Sequence, residues 1–172
     1  MKTNKLFYPL SHDNWNSREQ IALQSVIKSN SFTMGKEVKK FEKKIAKFHD
    51  VKHAIMTNSG SSANLLMIGS LIEKGLLKTG DEVIVPAVSW STTYFPLHQY
   101  GLKMVFVDTD PFGNIDPIEI KKAINKNTKC VFAVNLLGFP ADLENIKNIA
   151  LQNNIILIED NCESFGAHVN GL

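Results

Sequence analysis

The sequence predicts an α/β protein with a mostly parallel sheet and helices on both faces. Two observations carry that expectation. After His53, short apolar runs alternate with longer segments of helical periodicity. The runs are near-continuous in Val, Ile, Leu and Phe rather than alternately apolar and polar, as strands covered on both faces should be. Right-handed crossovers between such strands place the connecting helices on both sides of the sheet.

Residues 1–35 read as an N-terminal arm and a helix, "SREQIALQSVIKS", with Asn16 as its N-cap. Residues 36–172 read as an α/β domain, which starts with the helical stretch "GKEVKKFEKKIAKFHD". There Val38, Phe41, Ile45 and Phe48 recur three or four apart as one apolar stripe, and the lysines form a solvated face. "HAIMT" is an expected strand, followed by the helix "SANLLMIGSLIEKG" ending at Gly75. Then come strand "EVIVPA", helix "STTYFPLHQYG", strand "MVFVD", helix "DPIEIKKAI", strand "CVFAV", helix "DLENIKNIALQNN" and strand "IILIED". The sequence stops at "SFGAHVNGL" without a helix to close the last unit, so either the domain is compact and ends here or this is the front part of a longer protein.

Composition narrows the partners. Apolar residues make up 44% and charged residues 21% of the 172, which is ordinary for a globular core. A net charge of +2, with Arg18 as the only arginine, argues against nucleic-acid readout and bidentate phosphate clamps. No stretch approaches the ~18 apolar residues of a membrane span. The N-terminus lacks the apolar run of a signal peptide, so no membrane partner is expected and the cytoplasm is the default location. Two cysteines, Cys130 and Cys162, are too few for a disulfide framework or a four-cysteine zinc site. His49 and His53 span a helix end and a strand start, so no metal site is expected.

In open α/β sheets, ligands bind beyond the carboxyl ends of the strands, so the residues there are the candidates. After "HAIMT" comes "NSGSS". Gly60 permits close backbone approach, and Ser61 and Ser62 offer hydroxyl and N–H donors where a helix begins, which suits a phosphate. Plain serine N-capping is the alternative, and would need only one of them. Ser59, on the strand side, is expected to matter less. After "EVIVP", Trp90 is placed either to stack on a flat ring or to fill a core or interface. After "CVFAV", Asn135 either points an amide into the site or stabilises the turn at Gly138 and Pro140, with Asp142 capping the next helix. After "IILI", Glu159 and Asp160 end an apolar strand, an expensive place for charge unless it is used. Such a carboxylate can hold a protonated ring nitrogen, order a ribose or bind a metal. Glu163 follows three residues after Asp160, and Cys162 reads as structural.

Taken together and in order, "SNSFTMGKEVKKFEKKIAKFHDVKHAIMTNSGSSANLL", "GDEVIVPAVSWSTTYFP" and "IEDNCESFGA" resemble the DegT/DnrJ/EryC1/StrS family. These are fold-type I pyridoxal-phosphate enzymes that act on nucleotide-linked keto-sugars. The resemblance implies that Gly60, Ser61 and Ser62 hold the cofactor phosphate and that Trp90 stacks on the pyridine ring. It implies that Asp160 pairs with the pyridinium nitrogen, keeping it protonated so that the ring accepts electrons. Glu163 stands near the ring's 3-hydroxyl, where the family usually has Gln or His, and Asn135 stands where a histidine is common. The resemblance places the family's Schiff-base lysine C-terminal to Leu172, outside this chain, and so implies that residues 36–172 are an incomplete cofactor-binding domain whose C-terminal remainder is missing. The expected activity is a sugar aminotransferase in polysaccharide or deoxy- and amino-sugar biosynthesis, with an amino-acid donor such as glutamate and a homodimeric assembly. The alternative within the family is a pyridoxamine-phosphate-dependent sugar 3-dehydrase, whose features "SGSSANLL" and "EDNCES" resemble. A non-catalytic sugar-nucleotide-binding module is the alternative from another class.

Overall fold

The computed structural model describes residues 13–33 and 35–168. They fall in two compact units, Met1–Met56 and Thr57–Leu172. The first contains helices α1 (Ser17–Ser29) and α2 (Lys36–Phe48). α1 starts as the sequence predicts. The Asn16 side chain accepts from the Arg18 N–H, and Glu19 reaches back to the Asn16 N–H at 2.8 Å, a capping box. Neither helix contains a buried residue, and the apolar stripe on α2 includes Phe41 and Phe48, both about half exposed.

The second unit holds a four-stranded sheet: β1 (Glu82–Pro86), β2 (Lys103–Val107), β3 (Thr128–Val134) and β4 (Ile156–Asp160). Helices α3 (Gly60–Glu73), α4 (Ser91–Gln99), α5 (Pro117–Ala123) and α6 (Leu143–Asn153) precede or connect these strands. Every strand pair is parallel, in the order β2-β1-β3-β4. The two inner strands are buried nearly throughout, as their unbroken apolar runs require. Their side chains still alternate between two cores. Val83, Val85, Cys130 and Phe132 pack with Ile68 of α3 and Leu97 of α4. Ile84, Val131 and Ala133 pack on the opposite face with Ile120 of α5 and Ile146 and Ile149 of α6.

One expected strand is absent. "HAIMT", residues 53–57, forms no β-structure and joins no ladder among the described residues. A strand exists only through its pairing, and here the Met56 N–H is taken by the Glu42 carboxylate at 3.0 Å. Three of the five residues, His53, Ile55 and Met56, remain exposed.

α3 and α4 lie close together because α3 carries a glycine at the contact. A Cβ at Gly69 would stand 2.6 Å from Tyr100 Oη and 3.3 Å from its Cζ. Alanine is the better helix former by ~1 kcal/mol, yet overpacking of this kind typically costs ~1–3 kcal/mol. Gly69→Ala is therefore expected to lower the urea midpoint of unfolding, and adding Tyr100→Phe should recover part of the loss. A neutral or stabilising Gly69→Ala would refute the packing account.

The two thiols should separate cleanly. Cys130 is buried, and burial pushes its thiol from 9.0 up to about 12, whereas Cys162 is exposed. A thiol raised in this way contributes stability that is present below its ordinary value and is lost as pH rises towards the folded value. Iodoacetamide at pH 8 is expected to alkylate Cys162 in the native protein, with Cys130 reacting only after denaturant is added, as read by peptide mass spectrometry.

Candidate active site

The sheet order dictates where a ligand can sit. From β1 the chain passes through α4 to β2 on one side, and from β3 it passes through α6 to β4 on the other. The connections therefore diverge between β1 and β3, and this switch point opens a crevice at the carboxyl ends of the strands. A cleft of about 190 Å³ is found there. Its walls come from each segment that reaches this end: Gly60, Ser61 and Asn64 of α3, Ser89, Trp90, Thr92 and Thr93 after β1, Leu136 after β3, and Asp160, Cys162 and Glu163 at and beyond the end of β4.

Asp160 is the charged group at its base. Oδ2 accepts from Asn64 Nδ2 at 2.8 Å and from Thr93 Oγ1 at 3.5 Å, and Oδ1 accepts from the Cys162 N–H at 3.0 Å. Thr93 Oγ1 also lies 2.8 Å from Ser89 Oγ. Asn64 and Thr93 are 3% and 0% exposed, so both polar groups are spent inside the protein. Trp90 is 71% exposed, which rules out the core half of its alternative and leaves the interface half open. It occupies the N-cap of α4 without contributing a side-chain cap. Tyr94, one turn further on, donates to the Pro86 carbonyl at 2.8 Å, and burial raises its phenol above the ordinary value.

Five of the seven sequence-predicted residues, Gly60, Ser61, Trp90, Asp160 and Glu163, line this one cleft. Ser62 and Asn135 do not. Ser62 lies along a separate groove with Leu65, Leu66 and Tyr100, and its N–H and hydroxyl both meet Ser59 Oγ, at 3.1 and 3.2 Å. Asn135 is buried behind the site. Its Nδ2 donates to Glu159 Oε1 and to Asn161 Oδ1, and its Oδ1 accepts from the Ala141 N–H at 2.7 Å. This is the turn-stabilising arrangement. Glu163 has two faces: Oε2 accepts from the Leu137 N–H at 2.7 Å, while Oε1 has no partner among the described residues. The bond holds Leu137 at φ 53°, a left-handed conformation that costs a branched residue ~1–2 kcal/mol. Cys162, read from sequence as structural, lines the cleft, and a Cβ at Gly60 would meet its Sγ at 3.4 Å.

The start of α3 divides its labour among the serines. Ser59 is the N-cap, its Oγ accepting from the Ser62 N–H. The Ser61 hydroxyl makes no hydrogen bond among the described residues, and Ser61 lines the cleft. Sequence reasoning missed Asn64, Thr93 and Ser89. The available signal was an amide inside the apolar run "ANLLMIG", where an unpaired polar group is costly. The cleft lining contains no lysine.

The domain has the fold of pyridoxal-phosphate-dependent aminotransferase-type enzymes, as its likeness to solved structures shows. A GDP-4-keto-6-deoxymannose-3-dehydratase with a trapped PLP–glutamate geminal diamine matches with a TM-score of 0.91 and 52% identity, over 95% of this chain and 43% of that one. The chain belongs to the DegT/DnrJ/EryC1/StrS aminotransferase family, whose profile matches residues 14–172. Among curated relatives, GDP-4-keto-6-deoxy-D-mannose 3-dehydratase of Yersinia pseudotuberculosis is 51% identical over 174 residues, 99% of this chain and 44% of that protein. dTDP-3-amino-3,6-dideoxy-alpha-D-galactopyranose transaminase of Aneurinibacillus thermoaerophilus is 35% identical over 153 residues, 88% of this chain and 41% of that protein. The chain thus spans less than half the length of these relatives.

The division among the serines is testable without any ligand. Ser59→Ala removes the cap and is expected to cost ~1 kcal/mol of unfolding free energy. Ser61→Ala removes no protein hydrogen bond and should stay within ~0.5 kcal/mol. Denaturant titration by circular dichroism checks both, and equal losses would contradict the assignment.

Proposed function

We propose that this chain forms the cofactor cradle of a sugar 3-dehydratase that uses pyridoxamine or pyridoxal 5′-phosphate and acts on a GDP-linked 4-keto-6-deoxyhexose. The observation that carries this reading is the 51% identity, across nearly the whole chain, to a protein of that name, against 35% for the sugar transaminase. It reverses the order that sequence alone suggested, in which aminotransferase came first. The aminotransferase remains the second reading because the family includes such enzymes. A purely binding module fits less well, since a carboxylate held by three donors at the cleft base is more than sugar binding requires.

The residues present suit such a cofactor. When bound, its ring draws electron density out of the substrate bonds that break. The N-terminal end of α3 favours an anion, and the Ser61 hydroxyl is free to donate to the phosphate. Gly60, without a side chain, would let the phosphate approach the backbone. Asp160 would accept the ring N–H and keep that proton in place. Trp90 offers an exposed indole face for stacking. Glu163 Oε1 is available to the ring's 3-hydroxyl. We assign Ser62 and Asn135 supporting roles, the first behind the N-cap and the second behind the loops after β3 and β4. Glutamate is proposed as the amino donor, in line with its presence in the trapped complex of the matching structure. A homodimer in the cytoplasm is the proposed working form, resting on the family resemblance. Among the described residues, no helix is long and apolar enough to cross a membrane.

The test uses the intact protein with cofactor, glutamate and GDP-4-keto-6-deoxymannose, with products read by mass spectrometry and NMR. The dehydratase reading expects a sugar that has lost its 3-oxygen and keeps the 4-keto group. A product that keeps the 3-hydroxyl and carries an amine at C4 would establish the aminotransferase instead. In the same protein, Ser61→Ala is expected to weaken pyridoxal-phosphate affinity by ~1–3 kcal/mol, ~5- to 150-fold.

A further inference from the structure

Asn64 is an amide placed where the chain otherwise puts apolar side chains. It sits in α3 one turn before the fully buried Ile68 and is 3% exposed. A buried amide is tolerated when its hydrogen bonds are made. Its shorter bond, 2.8 Å, goes to Asp160 Oδ2, and the longer, 3.4 Å, to the Thr92 carbonyl. The second donor to the same oxygen is Thr93, which is fully buried and 2.8 Å from Ser89 Oγ. If the Thr93 proton is given to Asp160, the Ser89 proton must be given to Thr93. The result is one directed chain, Ser89 to Thr93 to Asp160, joined at Oδ2 by Asn64.

We infer that Asn64 and Thr93 are positioning residues: they clamp Oδ2 of Asp160 from α3 and α4 and so aim its carboxylate at the cofactor's ring nitrogen. The inference rests on the cofactor reading above. Three donors from three segments fix the carboxylate plane, with the Cys162 N–H completing the set on Oδ1. A carboxylate fixed in this way meets its ligand without first being ordered, and that is where affinity is gained. Charge-assisted bonds of this kind are roughly twice as strong as neutral ones, so losing one should be measurable.

The experiment is a double-mutant cycle read as pyridoxal 5′-phosphate affinity, by absorbance titration of the intact protein. Asn64→Leu and Thr93→Val are each combined with Asp160→Asn. Acting through Asp160, each single substitution is expected to weaken binding about tenfold, and to add less than about twofold once Asp160 is already Asn. Thr93→Ser, which keeps the hydroxyl, should retain wild-type affinity. Should Asn64→Leu fail to fold, Thr93→Val and Thr93→Ser carry the test alone. Equal effects in both backgrounds would overturn the inference, because they would mean helix packing and not the carboxylate. If Asp160→Asn weakens binding while Asn64→Leu and Thr93→Val do not, the clamp is overturned and the cofactor reading survives. If Asp160→Asn itself leaves affinity unchanged, the cofactor reading fails and the clamp fails with it.

Discussion

A carboxylate at the end of a strand in a parallel sheet has to be met by donors, and the way Asp160 is met organises the site. Its partners come from α3, from α4 and from the loop that follows β4. These segments are distant in sequence, and the carboxylate is where they converge. Each partner also has a packing duty. α3 brings Ile68 to one core, and α4 brings Leu97 to the same core beside Val83 and Val85. The apolar packing sets the helices down, and the polar bonds then fix their rotation about the cleft. Either alone would leave the site loose: packing tolerates small rotations, and hydrogen bonds do not.

Much of this was legible in the sequence, because the relevant signals are local. Continuous apolar runs gave β1 to β4 and their parallel arrangement. The N-caps Asn16 and Asp142 do cap, and the rule that ligands gather at strand ends pointed to Gly60, Ser61, Trp90, Asp160 and Glu163. The failures are equally informative. "HAIMT" has a strand's composition, but composition cannot report whether a partner edge is available. Ser62 differs from Ser61 only by rotation about a helix, which a run of small hydroxyls does not encode. Which of the serines would cap the helix was likewise not encoded in the run, and Ser59 is the one that does. Asn135 was ambiguous between site and turn because an amide serves both, and only its partners decide. Asn64 went unnoticed because its meaning lies in a contact spanning ninety-six positions.

The same separation bears on function. The features that distinguish one sugar chemistry from another are not in the sheet, whose architecture matches dehydratases and aminotransferases alike. One scaffold commonly hosts many reactions, with the chemistry set by the side chains placed at the site.

The strand order carries a consequence for how the chain matures. β1 pairs with β2 across a short crossover, but its other neighbour, β3, arrives only after β2 and α5 have been made, and β4 comes last. Contacts of low sequence separation form first, because less chain must be closed to make them. Asp160, at the base of the cleft, is the last residue of β4. During synthesis, then, the helix start with its serines and Trp90 exist well before the acid at the cleft base, and a chain that has not yet docked β4 holds only part of the cleft. A ligand that needs both walls of the cleft stabilises only molecules in which β4 has docked. It does nothing for intermediates that have yet to dock that strand.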